Sequence, residues 1–279
     1  MTAVAVEVEP ILTAEVPMPH GYVFRAPGNR IARLGAVLRP GGRVVRAPCL
    51  AFVVRHPSEG VVVVDTGLHA DAASGLRGDF GGPMSVMFRA MEPARKPFDQ
   101  QLRDRGVDPA RVERLVMTHL HVDHTSGIRL LPAAEVICAG EEWAATRGRF
   151  AVAKGYVAAH LPPESRVRRL DFARDGEAFG PFDRTIDLLG DESVRLVATP
   201  GHTAGHLSVL LRTGEDRSVL LAGDAAYTLQ SIAEQRLPML TDDDEASRRS
   251  LAELRAFTEA NPGAIVVPTH DPVAWHALR

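Results

Sequence analysis

The sequence predicts a mixed α/β (α+β) fold organised as a single domain over residues 1–279. Three observations point there. Short β-branched apolar runs alternate loosely with helical segments. Some of these runs pair as hairpins across Gly- and Pro-containing turns. Short strands repeatedly empty into turns that carry one His or Asp.

Composition narrows the class. The chain has 279 residues, 45% hydrophobic and 5% aromatic, enough for a sizeable core. Its net charge of -3 gives no basic footprint for nucleic acid. Cys49 and Cys138, the two cysteines, read as small buried residues in a reducing compartment rather than a disulfide framework. The opening MTAVAVEVEP carries Glu7 and Glu9 and no basic stretch, so a signal peptide is not expected. No apolar run approaches the about 18 residues of a membrane span. A cytoplasmic protein with small-molecule chemistry is the expectation.

The elements follow in order. Leu34–Pro48 predicts a hairpin turning on Pro40-Gly41-Gly42. Cys49–Gly67 predicts a second hairpin, with a Pro-Ser-Glu-Gly turn and the buried strand Val61–Val64. Leu68–Pro97 is rich in Gly and Met and weakly periodic. It predicts a long loop with a short helix, a lid or dimer-contact insertion at about 68–97. Phe98 onward is helical and closes near Gly106. A strand ends at Thr118, and Glu135–Gly148 reads as strand then helix. Val194–Thr228 holds three short strands. The clearest helix begins in Asp242-Asp243-Asp244, places Leu251, Leu254 and Phe257 at helical spacing, and stops at Asn261-Pro262-Gly263. Ile265–Val267 is the last strand.

The chemistry concentrates in MTHLHVDHTSG. His119, His121, Asp123 and His124 stand within six positions, in a turn between a strand and a helix. Such a turn can aim several side chains inward. Imidazole and carboxylate are the usual ligands of zinc and similar divalent ions. A solvated polar loop would not need H-x-H-x-D-H. Further candidates stand at later strand ends: His202 in ATPGHTAGH, Asp224 in LLAGDAAYT and His270 in VVPTHD. His206 reads as a structural histidine. His20, His56, His69, His160 and His276 have no motif around them.

THLHVDHTSG, TPGHTAGH, AGDAAYT and PTHD, in this order and at these intervals, resemble the metallo-β-lactamase superfamily. The resemblance runs from about Cys49 to Asp271. It implies a four-layer αβ/βα sandwich of two mixed β-sheets flanked by helices. It implies that His119, His121 and His202 hold one metal, that Asp123, His124 and His270 hold a second, and that Asp224 bridges them. Asp65 would support the site from behind. Seven ligands suit two ions sharing a carboxylate better than one tetrahedral ion. Zinc fits, and cobalt, manganese or iron also suit nitrogen and oxygen ligands.

Tyr227, three residues after Asp224, is similar to a tyrosine of the N-acyl homoserine lactonases, the quorum-quenching members. That likeness implies a dinuclear hydrolase opening a lactone ring by attack of a metal-bridging hydroxide. Tyr227 would stabilise the oxyanion and Asp123 would carry a proton to the leaving alkoxide. The alternative is another ester, thioester or β-lactam on the same site; a metal-binding member without turnover is a third reading. No late cysteine ligand, helical substrate domain, flavodoxin domain or RNA-binding insertion is evident. Met84, Val86, Met87, Phe88 and Met91, preceded by Gly75, Gly78, Gly81 and Gly82, are expected to line an acyl pocket or a homodimer contact.

Overall fold

The computed structural model describes residues 4–38, 41–69 and 90–279. From the N-terminus run β1 (Glu7–Pro19), α1 (His20–Val23), α2 (Arg30–Leu38), β2 (Val44–His56) and β3 (Gly60–Val64). Next come β4 (Glu92–Pro93), α3 (Phe98–Asp104), β5 (Arg114–Val116), α4 (Val122–Thr125), β6 (Glu135–Ala139), α5 (Gly140–Ala145) and β7 (Val167–Leu170). Then follow α6 (Phe172–Asp175), β8 (Glu177–Phe179), β9 (Phe182–Asp187), β10 (Val194–Ala198) and β11 (Leu207–Arg212). The last are β12 (Ser218–Gly223), α7 (Leu229–Glu234), α8 (Asp244–Ala260) and β13 (Ile265–Pro268).

These elements build two mixed sheets. One has the order β4-β1-β2-β3-β5-β6-β7 and the other β13-β12-β11-β10-β9-β8. In the first, β1–β2–β3 are antiparallel and β3–β5–β6–β7 parallel. In the second, only β12 and β13 run parallel among the paired strands.

Strand alternation explains the layering. On β2, Leu50, Phe52 and Val54 meet Leu196, Val209 and Leu221 of the other sheet in one apolar core. Their neighbours Ala51 and Val53 turn the other way, into a cluster with Phe98 and Leu102 of α3. The second sheet repeats the rule. Val219 and Leu221 face inward, while Leu220 and Ala222 pack on Leu251, Leu254 and Phe257 of α8. Period-two side chains thus give each sheet two buried faces, and helices cover the outer ones. This is the four-layer sandwich expected.

The predicted hairpin over Leu34–Pro48 is not present. Residues Arg30–Leu38 form helix α2, and the partner of β2 is β1, with Ile11 opposite Ala51. Ile31, Leu34 and Leu38 follow helical rather than alternating spacing, which fits α2. Pro10, Pro17 and Pro19 hide β1 in the sequence, because proline cannot donate to a sheet ladder. They are tolerated because β4 pairs with β1 only at Ala14 and Glu15, leaving most of that edge open. The expected lid falls largely on residues 70–89, outside the described residues; of the five apolar residues named for it, Met91 is described and is buried. Among the described residues no helix is long and apolar enough to cross a membrane.

Helix α8 starts where expected. The Asp243 side chain accepts hydrogen bonds from the Glu245 and Ala246 amides at 2.8 and 3.0 Å. Asp243→Ala should therefore lower stability by about 1 kcal/mol, read as a reduced urea midpoint at unchanged m-value.

Candidate metal centre

The site lies where β3, β5, β10, β12 and β13 end. Asp65 follows β3 and has φ 55°, a left-handed conformation that aspartate tolerates better than most residues. Its carboxylate accepts three hydrogen bonds at 2.8 Å, from the Thr118 amide, the Thr118 hydroxyl and His124 Nδ1. The Thr118 hydroxyl proton is thereby committed to Asp65. Its oxygen, 3.1 Å from His119 Nδ1, then accepts the proton of that nitrogen. Both His119 and His124 are held with Nδ1 protonated and Nε2 directed into the centre.

His270 is set in the same way, since its Nδ1 lies 2.9 Å from the Pro48 carbonyl oxygen and must donate to it. Its Nε2 then faces Asp224 Oδ2 at 3.2 Å and Asp123 Oδ2 at 3.5 Å. His124 Nε2 stands 3.3 Å from Asp224 Oδ1. His202 Nε2 is 3.5 Å from Asp224 Oδ2 and 3.0 Å from His121 Nδ1. All seven residues named from the sequence therefore converge, with Asp224 in the middle.

This arrangement fits metal ions. His119 Nε2, His124 Nε2 and Asp224 Oδ1 are buried and have no hydrogen-bond partner, a costly state without an ion. Three groups have ligand atoms mutually within 4.8 Å: His119–His121–His202, His119–His124–Asp224 and Cys49–Asp123–His270. Burial first, and then the Asp123 and Asp224 charges, push the Cys49 thiol well above its usual range, so it stays protonated.

The charge balance points the same way. Burial lowers His121 to about 3 and His202 to about 4, so both imidazoles are neutral and able to ligate an ion. Burial would also depress His124, but Asp65 and Asp224 reverse that and hold it well above the usual imidazole range. His270 is raised against its burial by Asp224 and then Asp123. The buried carboxylates attract positive charge, the demand that bound cations would meet.

The surrounding residues explain how the turns hold. His206, read as structural, sits under Asp224. Its Nε2 accepts from the Asp224 amide at 2.9 Å, and its Nδ1 is 2.9 Å from the Thr199 hydroxyl. Gly223, at φ 56°, lets the strand turn here; a Cβ would lie 2.6 Å from His206 Nε2. His56 lies elsewhere, paired with Asp191 at 2.7 Å.

A family model for the metallo-beta-lactamase superfamily matches residues 44–270. The chain belongs to this superfamily. It is 34% identical over 238 residues to an N-acyl homoserine lactonase AttM of Rhizobium johnstonii, covering 83% of this chain and 85% of that one. The AttM of Agrobacterium fabrum is 35% identical over 234 residues, covering 82% and 83%. Among superfamily structures, an N-acyl homoserine lactone hydrolase with N-hexanoyl-L-homoserine bound at its catalytic metal centre superposes with a TM-score of 0.72. The two are 21% identical and cover 100% and 98% of each other's chains.

The superfamily motifs do not reveal every residue that shapes the site. Glu142 on α5 is fully buried. Its Oε1 accepts the Leu120 amide at 2.8 Å and its Oε2 the Gly205 amide at 3.3 Å. It clamps the His119–His124 turn to the His202 loop, and only glycine fits at 205, where a Cβ would lie 2.2 Å from the Glu142 amide nitrogen. A single glutamate in a helical stretch carries no sequence signal for this. Tyr227 did carry one, in its place three residues after Asp224. The chain's other two tyrosines, Tyr22 and Tyr156, which sequence reasoning missed, join it at the site. The Tyr227 ring lies 5.7 Å from His202 and 5.0 Å from His270, centroid to centroid. Tyr156 packs edge-on against His121.

Above His121, Asp123, His202 and Asp224 opens a cavity of about 280 Å³. Val16 and Met18 of β1, Val122, Ala153 and Leu240 contribute apolar wall. Lys154 and Asp242 pair across its rim at 2.7 Å.

Removing the Glu142 carboxylate strands two buried amides. Glu142→Ala should cost about 1–3 kcal/mol for each amide left without a partner, measured by chemical unfolding. The loosened turn should also bind metal more weakly in an equilibrium dialysis titration.

Proposed function

We propose that the protein is a dinuclear metallohydrolase that opens the ring of N-acyl homoserine lactones. His119, His121 and His202 would hold one divalent ion, Asp123, His124 and His270 a second, and Asp224 both. Two such ions, for which zinc suits the nitrogen and oxygen ligands, would supply a Lewis acid and a water acidified to near neutral pH. Tyr227 supports the lactone reading most directly. It stands at the cavity floor between His202 and His270, beneath an apolar wall able to receive an acyl tail. Burial first, then Tyr22, Asp224 and Asp123, push its phenol well up, so it remains a neutral donor.

The ester carbonyl oxygen accepts a hydrogen bond from Tyr227 as negative charge develops there. The Asp123 carboxylate shuttles a proton to the departing ring oxygen. Residues 1–279 act as one domain in this reading, because the cavity draws on Val16 near one end and Asp242 near the other. The similarity to the two AttM lactonases supports the substrate class.

A pH-stat assay over a panel of lactones, thioesters, β-lactams and simple esters tests the proposal. Acyl homoserine lactones should be the best substrates; a preferred thioester or β-lactam would overturn the lactone reading. Protein supplied with ample metal should carry two ions per chain by elemental analysis, and Asp224→Ala should reduce that number. Tyr227→Phe should lower kcat by less than about 100-fold, with metal content unchanged, because the ions share the oxyanion charge.

A further inference from the structure

The cavity wall contains one polar group whose place is not explained by the ring-opening chemistry. Tyr22, in α1, enters the wall between the polar floor and the apolar strand β1. Its ring faces that of Tyr227, with centroids 6.3 Å apart and planes 36° apart.

The other polar side chains of the described upper wall are committed. Lys154 is paired with Asp242. The Thr241 hydroxyl donates to Asp244 and accepts from Arg25 at 2.9 Å. Tyr22 is the remaining polar side chain of that wall, and its ring faces that of Tyr227.

Tyr22 is also firmly placed. The Met239 amide donates to its carbonyl oxygen at 2.8 Å, and the Arg25 amide donates to the Leu237 carbonyl at 2.9 Å. The Arg25 side chain binds the Pro238 carbonyl at 2.8 Å and pairs with Asp244. Helix α1 is thus stitched to the loop that forms the opposite wall. Burial pushes the Tyr22 phenol up to about 12, so it stays a neutral hydroxyl.

An acylated amino lactone places its ring at the floor, its tail against the apolar wall and its amide between them. Tyr22 lines the cavity together with Tyr227 and with Val16 and Met18 of the apolar wall. We propose that Tyr22 determines substrate specificity: its hydroxyl oxygen accepts the N–H of the amide beside the lactone ring. A phenol oxygen can accept such a bond. The inference rests on the lactonase reading and adds the group that recognises the amide.

The test compares two substrates with equal tails. One is N-hexanoyl homoserine lactone; the other is a γ-butyrolactone bearing an alkyl chain of equal length in place of the acylamino group. The wild type should prefer the amide. Tyr22→Phe should reduce that preference on the order of tenfold, the worth of one substrate hydrogen bond. The loss should appear in KM, because the amide contact is the same in ground and transition states. Tyr227→Phe should instead lower kcat on both substrates. Melting temperature and bound metal of Tyr22→Phe should match the wild type. Equal losses on both substrates, or a wild type that prefers the alkyl lactone, would overturn the role of Tyr22. A wild type that opens neither lactone would overturn the lactonase reading itself.

Discussion

The Asp65 carboxylate is the constraint on which the site is built. It is 1% exposed and receives all three of its donors from the segment that begins at Thr118. Through the Thr118 hydroxyl it sets the proton of His119, and directly it sets that of His124. One buried acid therefore decides which nitrogen of two histidines faces the centre. Partners of this kind orient ligands and tune their basicity as strongly as the ligands' own identity. The left-handed backbone at Asp65 is the local strain that brings the carboxylate there.

The rest of the centre answers the cost of burying that charge. Asp65, Asp123 and Asp224 all lie below the surface, and an unpaired buried carboxylate is expensive. Histidine alone offsets part of it, as the raised His124 and His270 indicate. The buried Nε2 atoms of His119 and His124 remain without a hydrogen-bond partner. Divalent cations satisfy both demands together, so the same charges that would destabilise an empty fold become the source of metal affinity.

The site also depends on contacts far apart in sequence. Glu142 joins the two histidine turns, and His206 holds the Asp224 amide from below. On the open side, Arg25 ties the N-terminal helix to the segment around Asp244, more than two hundred residues later. The wall on the open side follows from the Arg25 ties, which do not involve the seven converging residues. In the proposed reading the floor carries the bond-breaking chemistry and the wall the choice of substrate.

The sequence by itself determined the layers and the residues that converge at the site. His119, His121, Asp123 and His124 were legible because metal-binding residue types cluster within six positions of one turn, and His202, Asp224 and His270 because each follows a short apolar strand. The helix Asp244–Ala260 was legible from its cap, its apolar spacing and its stop. These signals are local. Only the tertiary structure decided that β1, disguised by its prolines, pairs with β2, and that Leu34–Leu38 belongs to a helix. Only it revealed Glu142 as a clamp and Tyr22 as part of the wall. A buried glutamate or an inward-facing tyrosine has no periodic or spacing signature. Its role exists only once distant segments pack around it, because burial and hydrogen-bond partnership are properties of the folded neighbourhood.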